Sequence, residues 1–226
     1  MINTIRNIKT GSIVASDLNG TLTTGSPVLA VHRWLAEHQP GAAPPLFLVW
    51  LTFTFLMVKT GLLKIDIWGE LAMAKVLGFI QSPDPDLLDA VMTFVVEDEL
   101  WPKRRDEPVS LLRKMHQEGA EIWILSAAYQ PAVAKFAGKI APQRTHAIGT
   151  PIQITSAGVE FSGPLNSREK KISSFSTAIG PQPLAVALGD TFADIPFLQS
   201  AEQAIAVYPD RQLKQMALKN DWQIIG

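Results

Sequence analysis

The sequence predicts an α/β protein with a Rossmann-like parallel sheet core and an inserted α-helical cap domain. Residues 100–226 alternate short apolar runs with longer helical patterns, which is typical of a parallel sheet with crossover helices. Residues 25–99 instead read as a series of helices divided by proline-containing loops. The predicted division is therefore an α/β core of residues 1–24 and 100–226 and a helical cap of residues 25–99.

The elements of the core follow from these patterns in chain order. The first predicted strand, residues 12–16, is apolar and is followed at once by Asp17 and a glycine turn, which is typical of the active-site edge of an α/β sheet. The further predicted strands are 121–125, 146–149, 184–188 and, as the last, 204–207, with a hairpin over 151–161. The predicted helices are 61–79 and 85–96 in the cap and 107–118, 130–139, 167–178, 195–200 and 211–220 in the core.

Charge and cysteine content exclude several classes of function. The formal net charge of −1 offers no basic field for nucleic acid, so no nucleic-acid partner is expected. The absence of cysteine excludes a disulfide framework, a thiolate zinc site and a cysteine nucleophile, and it fits a reducing cytosol. The first ten residues are polar and lead into no apolar run, so we expect no signal peptide and a cytoplasmic protein.

One apolar run, residues 46–58, stands apart from the rest of the predicted cap. It is shorter than the ~20 residues that a spanning helix needs. Because it is apolar all round, it predicts a helix buried in the core of the cap, which is the preferred interpretation. Its aromatic residues Phe47, Trp50, Phe53 and Phe55 leave open a membrane-interface patch, and thus a membrane-associated protein, or the wall of a pocket for an apolar substrate.

Residues with chemistry to offer cluster at the predicted strand ends. Asp17, Ser126 and Asp190 each follow a strand, and ligands of open α/β sheets bind at the carboxyl ends of strands. A lysine pair, Lys170 and Lys171, starts a helix that can point towards them. The sequence therefore predicts one polar site at this edge of the sheet.

These residue types suit the transfer of a phosphoryl group. A carboxylate such as Asp17 can attack phosphorus and form an acyl-phosphate. Asp17 and Asp190 together make a hard oxygen site suited to Mg²⁺. The Ser126 hydroxyl and the Ala127 amide can donate hydrogen bonds to phosphate oxygens, and a lysine can neutralise their charge. Thr21 can orient Asp17 by hydrogen bonding.

Four motifs resemble those of the haloacid dehalogenase superfamily, in the phosphoserine-phosphatase-like branch with a helical cap inserted after the first strand. They are Asp-Leu-Asn-Gly-Thr-Leu-Thr at 17–23, Ile-Leu-Ser-Ala-Ala at 124–128, Lys171, and Gly-Asp-Thr-Phe-Ala-Asp-Ile-Pro at 189–196. The resemblance covers the whole predicted core, whereas the cap matches by position and helical character only. It implies a magnesium-dependent phosphatase that acts on a small-molecule phosphomonoester.

The resemblance also implies roles for single residues. Asp17 is the implied nucleophile. The implied Mg²⁺ ligands are Asp17, the backbone carbonyl of Asn19 and Asp190, with Asp194 in support, directly or through water. Ser126 and Lys171 are the implied phosphoryl ligands. Lys171 is preferred to its neighbour because the family lysine is usually followed by an apolar residue, here isoleucine.

Asn19 departs from the family pattern, which has a second aspartate at this position. That aspartate protonates the leaving oxygen and then activates the attacking water, whereas asparagine cannot exchange a proton at neutral pH. The asparagine is explained by an engineered aspartate-to-asparagine change, by a natural protein that binds phosphates or handles good leaving groups, or by a non-catalytic relative. Because the other motif residues are intact, we favour an active phosphatase lineage whose activity is impaired in this chain.

The predicted substrate follows from the apolar cap. It favours a phosphate on an apolar body, such as a lipid-like phosphomonoester. A polar substrate such as phosphoserine needs charged partners, for which Arg33 and Glu37 are the candidates in the cap. The alternatives in other classes are a non-catalytic phosphate-binding protein and phosphotransfer or diphosphate chemistry on the same fold.

Overall fold

The computed structural model describes residues 8–226, apart from the side chains of Asp66 and Arg168. Within that range the strands are β1 (Ile13–Asp17), β2 (Glu121–Tyr129), β3 (Thr145–Thr150), β4 (Ile152–Thr155), β5 (Gly158–Phe161), β6 (Leu184–Gly189), β7 (Ala201–Val207) and β8 (Gln223–Ile225). The helices are α1 (Pro27–His38), α2 (Pro45–Lys59), α3 (Ile65–Leu77), α4 (Pro85–Phe94), α5 (Asp106–Gln117), α6 (Gln130–Ile140), α7 (Arg168–Ile179), α8 (Ile195–Gln199) and α9 (Arg211–Lys219).

The centre of the fold is a six-stranded parallel sheet with the order β3-β2-β1-β6-β7-β8. Strands β4 and β5 form a separate antiparallel hairpin. The strand order reverses beside β1, because the chain builds one half of the sheet through β2 and β3 and the other through β6, β7 and β8. This is the Rossmann-like architecture that the sequence predicts, with its topological switch point between β1 and β6.

Strand β1 is buried on both faces because it lies in the middle of this sheet. Val14 joins the hydrophobic cluster on one face, while Ile13 and Ala15 join the cluster on the other. Alternate side chains of a strand point to opposite faces, so a strand covered on both sides reads as a continuous apolar run. Its one acidic residue, Asp17, is placed at the carboxyl end.

The predicted strands and helices of the core all exist, with ends that shift by a few residues. The largest differences are that β2 continues to Tyr129, that β7 begins at Ala201, and that β8 follows the strand predicted to be the last. The three-residue strand β8 is too short to give a recognisable period of its own, and it forms by pairing with β7. In the cap, the helix predicted at 61–79 spans only Ile65–Leu77, and the one predicted to reach 96 changes at Val95–Leu100 into a π-helical turn.

The interpretation of residues 46–58 as a helix buried in the cap is wrong. Helix α2 covers this run, but Phe47 is its one buried residue. The helix packs on α3 along one side, and its opposite side carries exposed leucine, valine and phenylalanine side chains. An all-round apolar composition shows that every face can be buried, whereas the neighbours decide which face is. Among the described residues no helix combines the length and the apolar content needed to cross a bilayer.

Replacing a phenylalanine by alanine should change the free energy of unfolding far more on the buried side of α2 than on its exposed side. We expect Phe47→Ala to lower the free energy of unfolding by about 3–5 kcal/mol, because Phe47 is 2% exposed and its removal leaves a cavity. Phe53→Ala, at a position 62% exposed, should stay within about 0.5 kcal/mol of the parent. Urea unfolding of the two variants measures the difference; equal losses would contradict the packing of this helix.

Candidate functional site

The carboxyl ends of the neighbouring strands β1, β2 and β6 bring the predicted residues together. Asp17 ends β1 and pairs in register with Leu125, the residue before Ser126 on β2. On the other side, Ser16 pairs with Leu188 of β6, so the glycine-aspartate pair at 189–190 emerges beside Asp17. Parallel strands end at the same edge of a sheet, and this register therefore aligns three of the four motifs.

A cleft of about 170 Å³ opens at this edge. Every predicted site residue except Thr21 lines it, although these residues span most of the chain. The lining residues are Asp17, Asn19, Ser126, Ala127, Ser167, Lys171, Asp190, Thr191, Ala193 and Asp194. Thr21 lies fully buried behind two of the aspartates. The two polar candidates of the cap, Arg33 and Glu37, do not line the cleft.

Lys171 is the cation of the site, whereas its neighbour Lys170 is exposed. The Nζ atom of Lys171 lies 2.7 Å from Asp17 Oδ1 and 2.9 Å from Asp194 Oδ1, and all three side chains are buried. Burial alone lowers the pKa of a lysine, but the two carboxylates outweigh it and raise the pKa of Lys171 above its ordinary value. Lys171 is therefore charged and holds the end of β1 against the loop after β6.

Two carboxyl groups of the site carry raised pKa values. Burial raises the pKa of Asp17 to about 6, with Lys171 opposing this shift and Asp194 adding to it. Burial also raises the pKa of Asp190 to about 7, and the charges of Asp17 and Asp194 contribute. The three carboxylates face one lysine, so the site is short of positive charge.

Thr21 lies between Asp17 and Asp190, the two carboxyl groups whose pKa values are raised. Its hydroxyl lies 2.9 Å from Asp190 Oδ1 and 3.3 Å from Asp17 Oδ2, so it is closer to Asp190 than to the residue that it was predicted to orient. The turn that presents Thr21 needs Gly20, whose φ is +93°. A Cβ at this position would overlap the Asp190 carboxylate, so glycine lets the backbone approach the second strand end.

Asp194 already uses both of its carboxylate oxygens. Oδ1 accepts from Lys171, and Oδ2 accepts from the Thr191 hydroxyl at 3.0 Å and from the Thr191 amide at 3.2 Å. Burial alone raises the pKa of a carboxyl group, but the charge and hydrogen bond of Lys171 outweigh it, so the pKa of Asp194 is lowered. These bonds suit Asp194 to hold Lys171 and the loop at 190–194 in position.

Asn19 links the phosphate-binding candidates to the start of the helical insertion. Its Oδ1 accepts a hydrogen bond from the Ser126 hydroxyl at 3.0 Å, and its Nδ2 donates to the Gly25 carbonyl at 3.3 Å. An aspartate at this position could still accept from Ser126, but it could donate to Gly25 only when protonated. The Asn19 side chain therefore forms both hydrogen bonds, but it lacks the exchangeable proton of the aspartate that the family pattern has at this position.

Sequence reasoning missed Thr150 and Asn166, which support the phosphate-binding candidates from below. The Asn166 amide nitrogen donates at 3.0 Å to the carbonyls of Ser126 and Ile148, which lie on β2 and β3. The Thr150 hydroxyl donates to the Ala127 carbonyl at 2.6 Å and accepts from the main-chain N–H of Asn166, rather than from its side chain, at 3.0 Å. Neither residue lies in a motif, and the one available signal was a polar residue at the end of a strand or just before a helix.

The donor set of the cleft fits a hard divalent cation. Asp17 and Asp190 share one hydroxyl neighbour, and burial, with neighbouring carboxylates as a further cause, raises the pKa of each. In the described part of the chain no three side chains of histidine, cysteine, aspartate or glutamate form a metal-binding group. A cation here would need a main-chain oxygen as well, and the carbonyl of Asn19 is the candidate.

Comparison with known proteins gives the same family as the four motifs. The family described as haloacid dehalogenase-like hydrolase matches residues 14–199. The phosphoserine phosphatase SerB1 of Mycobacterium tuberculosis is 24% identical over 223 residues, which are 92% of this chain and 68% of that protein.

Solved structures share the fold. A protein of unknown function from Bordetella pertussis superposes with a TM-score of 0.78 at 20% identity, covering 96% of this chain and 99% of the other. A substrate-bound phosphoserine phosphatase superposes with a TM-score of 0.60 at 14% identity, covering 96% of this chain and 93% of the other. The family that the four motifs predict is confirmed, and the chain belongs to the haloacid dehalogenase-like hydrolases, with phosphoserine phosphatases among its relatives.

Proposed function

We propose that this protein is a magnesium-dependent phosphomonoester hydrolase that works through an aspartyl-phosphate on Asp17. The observation that carries the proposal is the convergence of Asp17, Lys171 and Asp190 in one small cleft at the topological switch point of the sheet. A buried carboxylate beside a buried lysine is suited to attack a phosphoryl group whose charge the lysine neutralises.

The proposed reaction has two displacements at phosphorus. An Asp17 oxygen bonds to phosphorus while the ester P–O bond breaks, and the leaving oxygen takes a proton from solvent, because Asn19 cannot supply one. Water then attacks the aspartyl-phosphate and loses a proton to solvent, the Asp17 O–P bond breaks, and inorganic phosphate is released with Asp17 restored. Lys171 Nζ lies 2.7 Å from Asp17 Oδ1 before the attack. Ser126 and the Ala127 amide, which line the same cleft, are proposed to bind phosphoryl oxygens, with the Ser126 hydroxyl released from its hydrogen bond to Asn19.

Asp17, Asp190 and the carbonyl of Asn19 are the proposed magnesium ligands, with Asp194 in support. Three carboxylates and one lysine leave this cleft with excess negative charge, which opposes the entry of a phosphate. When bound, the ion supplies the positive charge that offsets this repulsion and polarises the phosphoryl oxygens. Because both oxygens of Asp194 are already engaged, its support is proposed to run through Lys171 or through water.

The proposed substrate has an apolar body. A second cleft of about 540 Å³ adjoins the site and shares Ser167 and Ala193 with it. Much of its wall is apolar, including Leu165, Ile172 and Phe192. SerB1 carries the name of a phosphoserine phosphatase, whereas the charged lining of the second cleft is limited, among the described side chains, to Glu169 and Lys170. A lipid-like phosphomonoester matches these walls better.

Residues 25–99 are the proposed cap, and none of the described residues in this range lines either of the two clefts. Helices α1 to α4 fall in this range, and α3 packs against the β5 hairpin strand. The Tyr129 hydroxyl at the end of β2 donates to the Met73 carbonyl of α3 at 3.1 Å, which joins the two parts. The Asn19–Gly25 hydrogen bond ties the motif of the nucleophile to the first linker of this segment.

Phosphate binding without turnover is the second candidate function, and Asn19 is the observation that favours it. The side chain keeps its hydrogen bond to Ser126 but offers no exchangeable proton to a leaving group. Substrates with good leaving groups need little protonation and remain compatible with hydrolysis. Analysis of free against transferred phosphate separates hydrolysis from phosphotransfer or diphosphate chemistry on the same fold.

The first prediction concerns the missing general acid–base. We expect Asn19→Asp to raise the rate of phosphate release from a panel that includes phosphoserine and lysophosphatidate by at least about 10²-fold in the presence of Mg²⁺. The exposed Asn220→Asp introduces the same chemical change on the surface and should leave the rate unchanged. If the Asn19→Asp protein stays as inert as the parent on every phosphate, the hydrolase proposal is wrong.

The second prediction tests the metal through stability rather than turnover. Mg²⁺ should raise the melting temperature of the parent, since a ligand at about 100 times its dissociation constant stabilises by about 2.7 kcal/mol. Asp190→Asn should remove this effect, while Asp221→Asn, at an exposed position, should retain it. An equal response of all three proteins to Mg²⁺ would place the metal elsewhere.

The third prediction separates the two adjacent lysines. In the Asn19→Asp background, Lys171→Gln should lower kcat/KM by about 10²–10³-fold, because a charge that stabilises the transition state is lost. Lys170→Gln should lower it by less than about tenfold, since that side chain is exposed and lines the second cleft rather than the cleft of Asp17. Thermal melts show whether each variant is folded, and Lys171→Arg tests whether a cation alone restores activity. Comparable losses at both positions would refute the assignment of Lys171.

A further inference from the structure

Helix α2 presents one continuous apolar stripe to solvent. Leu46, Val49, Phe53 and Leu56 are 75%, 63%, 62% and 59% exposed. Their spacing of three, four and three residues places them on one face of the helix. The opposite face carries the buried Phe47 and the half-buried Trp50, which pack into the cap. The helix is therefore covered on one side only, and its other side exposes apolar side chains to solvent.

The apolar surface continues beyond this stripe. Leu62 in the turn after α2 is 75% exposed, and Ile65 and Leu71 on α3 are nearly half exposed. A shallow groove of about 660 Å³ runs along α2 between Leu48 and Lys59. Contiguous apolar surface on this scale marks an interaction site, because a protein that meets only water rarely keeps it.

The charges on α2 and in the turn after it have one sign, whereas the sequence of α3 also contains Asp66 and Glu70. Residues 38–65 contain no aspartate or glutamate but include Lys59 and Lys64, which lie together at the end of α2 and the start of α3. The Lys59 ammonium lies 5.5 Å from the centre of the Phe55 ring, so its stem follows the apolar surface and its charge sits at the edge. Lys75 of α3 lies in the same way 5.3 Å from the Trp50 ring.

We propose that the exposed face of α2, together with Lys59 and Lys64, docks the protein on the surface of an anionic lipid bilayer. The helix has 15 residues and is about 22 Å long, so it lies in the interface rather than crossing the ~30 Å hydrocarbon core. Leu46, Val49, Phe53 and Leu56 enter the acyl boundary, and the lysines meet lipid phosphates at its rim.

A lipid surface fits this face better than a second copy of the chain does. Two copies joined through α2 would bring Lys59 of each subunit towards a helix that contains no carboxylate. Anionic headgroups provide that charge over the whole rim of the patch. The docking goes beyond the proposed hydrolase activity and does not depend on it, because it uses no residue of the cleft.

Sedimentation of the full chain with vesicles tests the proposal. The parent should bind vesicles of phosphatidylcholine mixed with phosphatidylglycerol, and bind phosphatidylcholine alone more weakly. The double variant Phe53→Ser/Leu56→Ser should lose at least about tenfold in affinity for both. Leu218→Ser on α9, at a residue 65% exposed, removes the apolar surface of one exposed leucine elsewhere and should leave binding unchanged.

The lysines are tested separately. Lys59→Glu/Lys64→Glu should weaken binding to the anionic vesicles by roughly fivefold or more per lysine and leave binding to phosphatidylcholine nearly unchanged. Lys214→Glu, an exposed change on α9, serves as the matched control. Far-ultraviolet circular dichroism and thermal melts establish that each variant keeps the fold.

Three results would overturn the proposal. The parent could remain in the supernatant with both kinds of vesicle, or the α9 variants could lose as much binding as the α2 variants. The third result combines two measurements: the parent binds no vesicle, and sedimentation velocity shows that it forms a dimer which Phe53→Ser/Leu56→Ser dissociates. In that case a second copy of the chain would cover the exposed face of α2. Because no measurement uses turnover, these outcomes are independent of the outcome for Asn19→Asp.

Discussion

The ion pairs of Lys171 with Asp17 and Asp194 are the interactions on which the site depends. They join three distant parts of the chain: the end of β1, the first turns of α7 and the loop after β6. Removing one partner would leave a buried charge without compensation, which is a costly arrangement in a protein interior. The same lysine that holds the loops together is the cation beside the proposed nucleophile, so structure and chemistry use one group.

Charge balance also explains why this edge of the sheet suits a metal and a phosphate. The raised pKa values of Asp17 and Asp190 have burial as their first cause and neighbouring carboxylates as a further one. Lys171 relieves part of this cost, and a divalent cation would relieve more. Asn19 fits the arrangement in a different way, because a neutral amide satisfies Ser126 and the Gly25 carbonyl without adding a fourth carboxylate to the cleft.

The helical insertion divides its apolar residues between two tasks. Phe47 and its neighbours stabilise the contact of α2 with the rest of the insertion, while the stripe through Phe53 faces solvent. Hydrophobic stabilisation is roughly proportional to the area removed from water, so the exposed stripe contributes little to folding. The proposed contact with an anionic bilayer, which is apolar inside and negatively charged at its surface, accounts for an exposed apolar stripe beside lysines.

The sequence by itself determined the fold class, the family and most of the polar residues that line the cleft, Ser167 and Thr191 being the exceptions. These follow from local signals: apolar strands that end in Asp17 or in the glycine before Asp190, and motifs whose members are adjacent in the chain. Strand β8 escaped prediction because three residues carry no period and the pairing partner β7 decides their conformation. The supporting residues Thr150 and Asn166 escaped it because their partners are main-chain carbonyls of other strands, which no side-chain pattern reveals.

Only the tertiary structure decided which face of α2 is covered, and it gives the physical reason for the preference of Lys171 over Lys170 that the family pattern supplied. Lys170 and Lys171 differ by one helical position, and the rotation of α7 against the sheet buries one and exposes the other. Residues 46–58 are apolar on every side, so composition predicted burial, whereas the neighbouring helices cover one side alone. In both cases the deciding quantity is the direction in which a side chain points relative to elements distant in sequence, and a local pattern does not contain it.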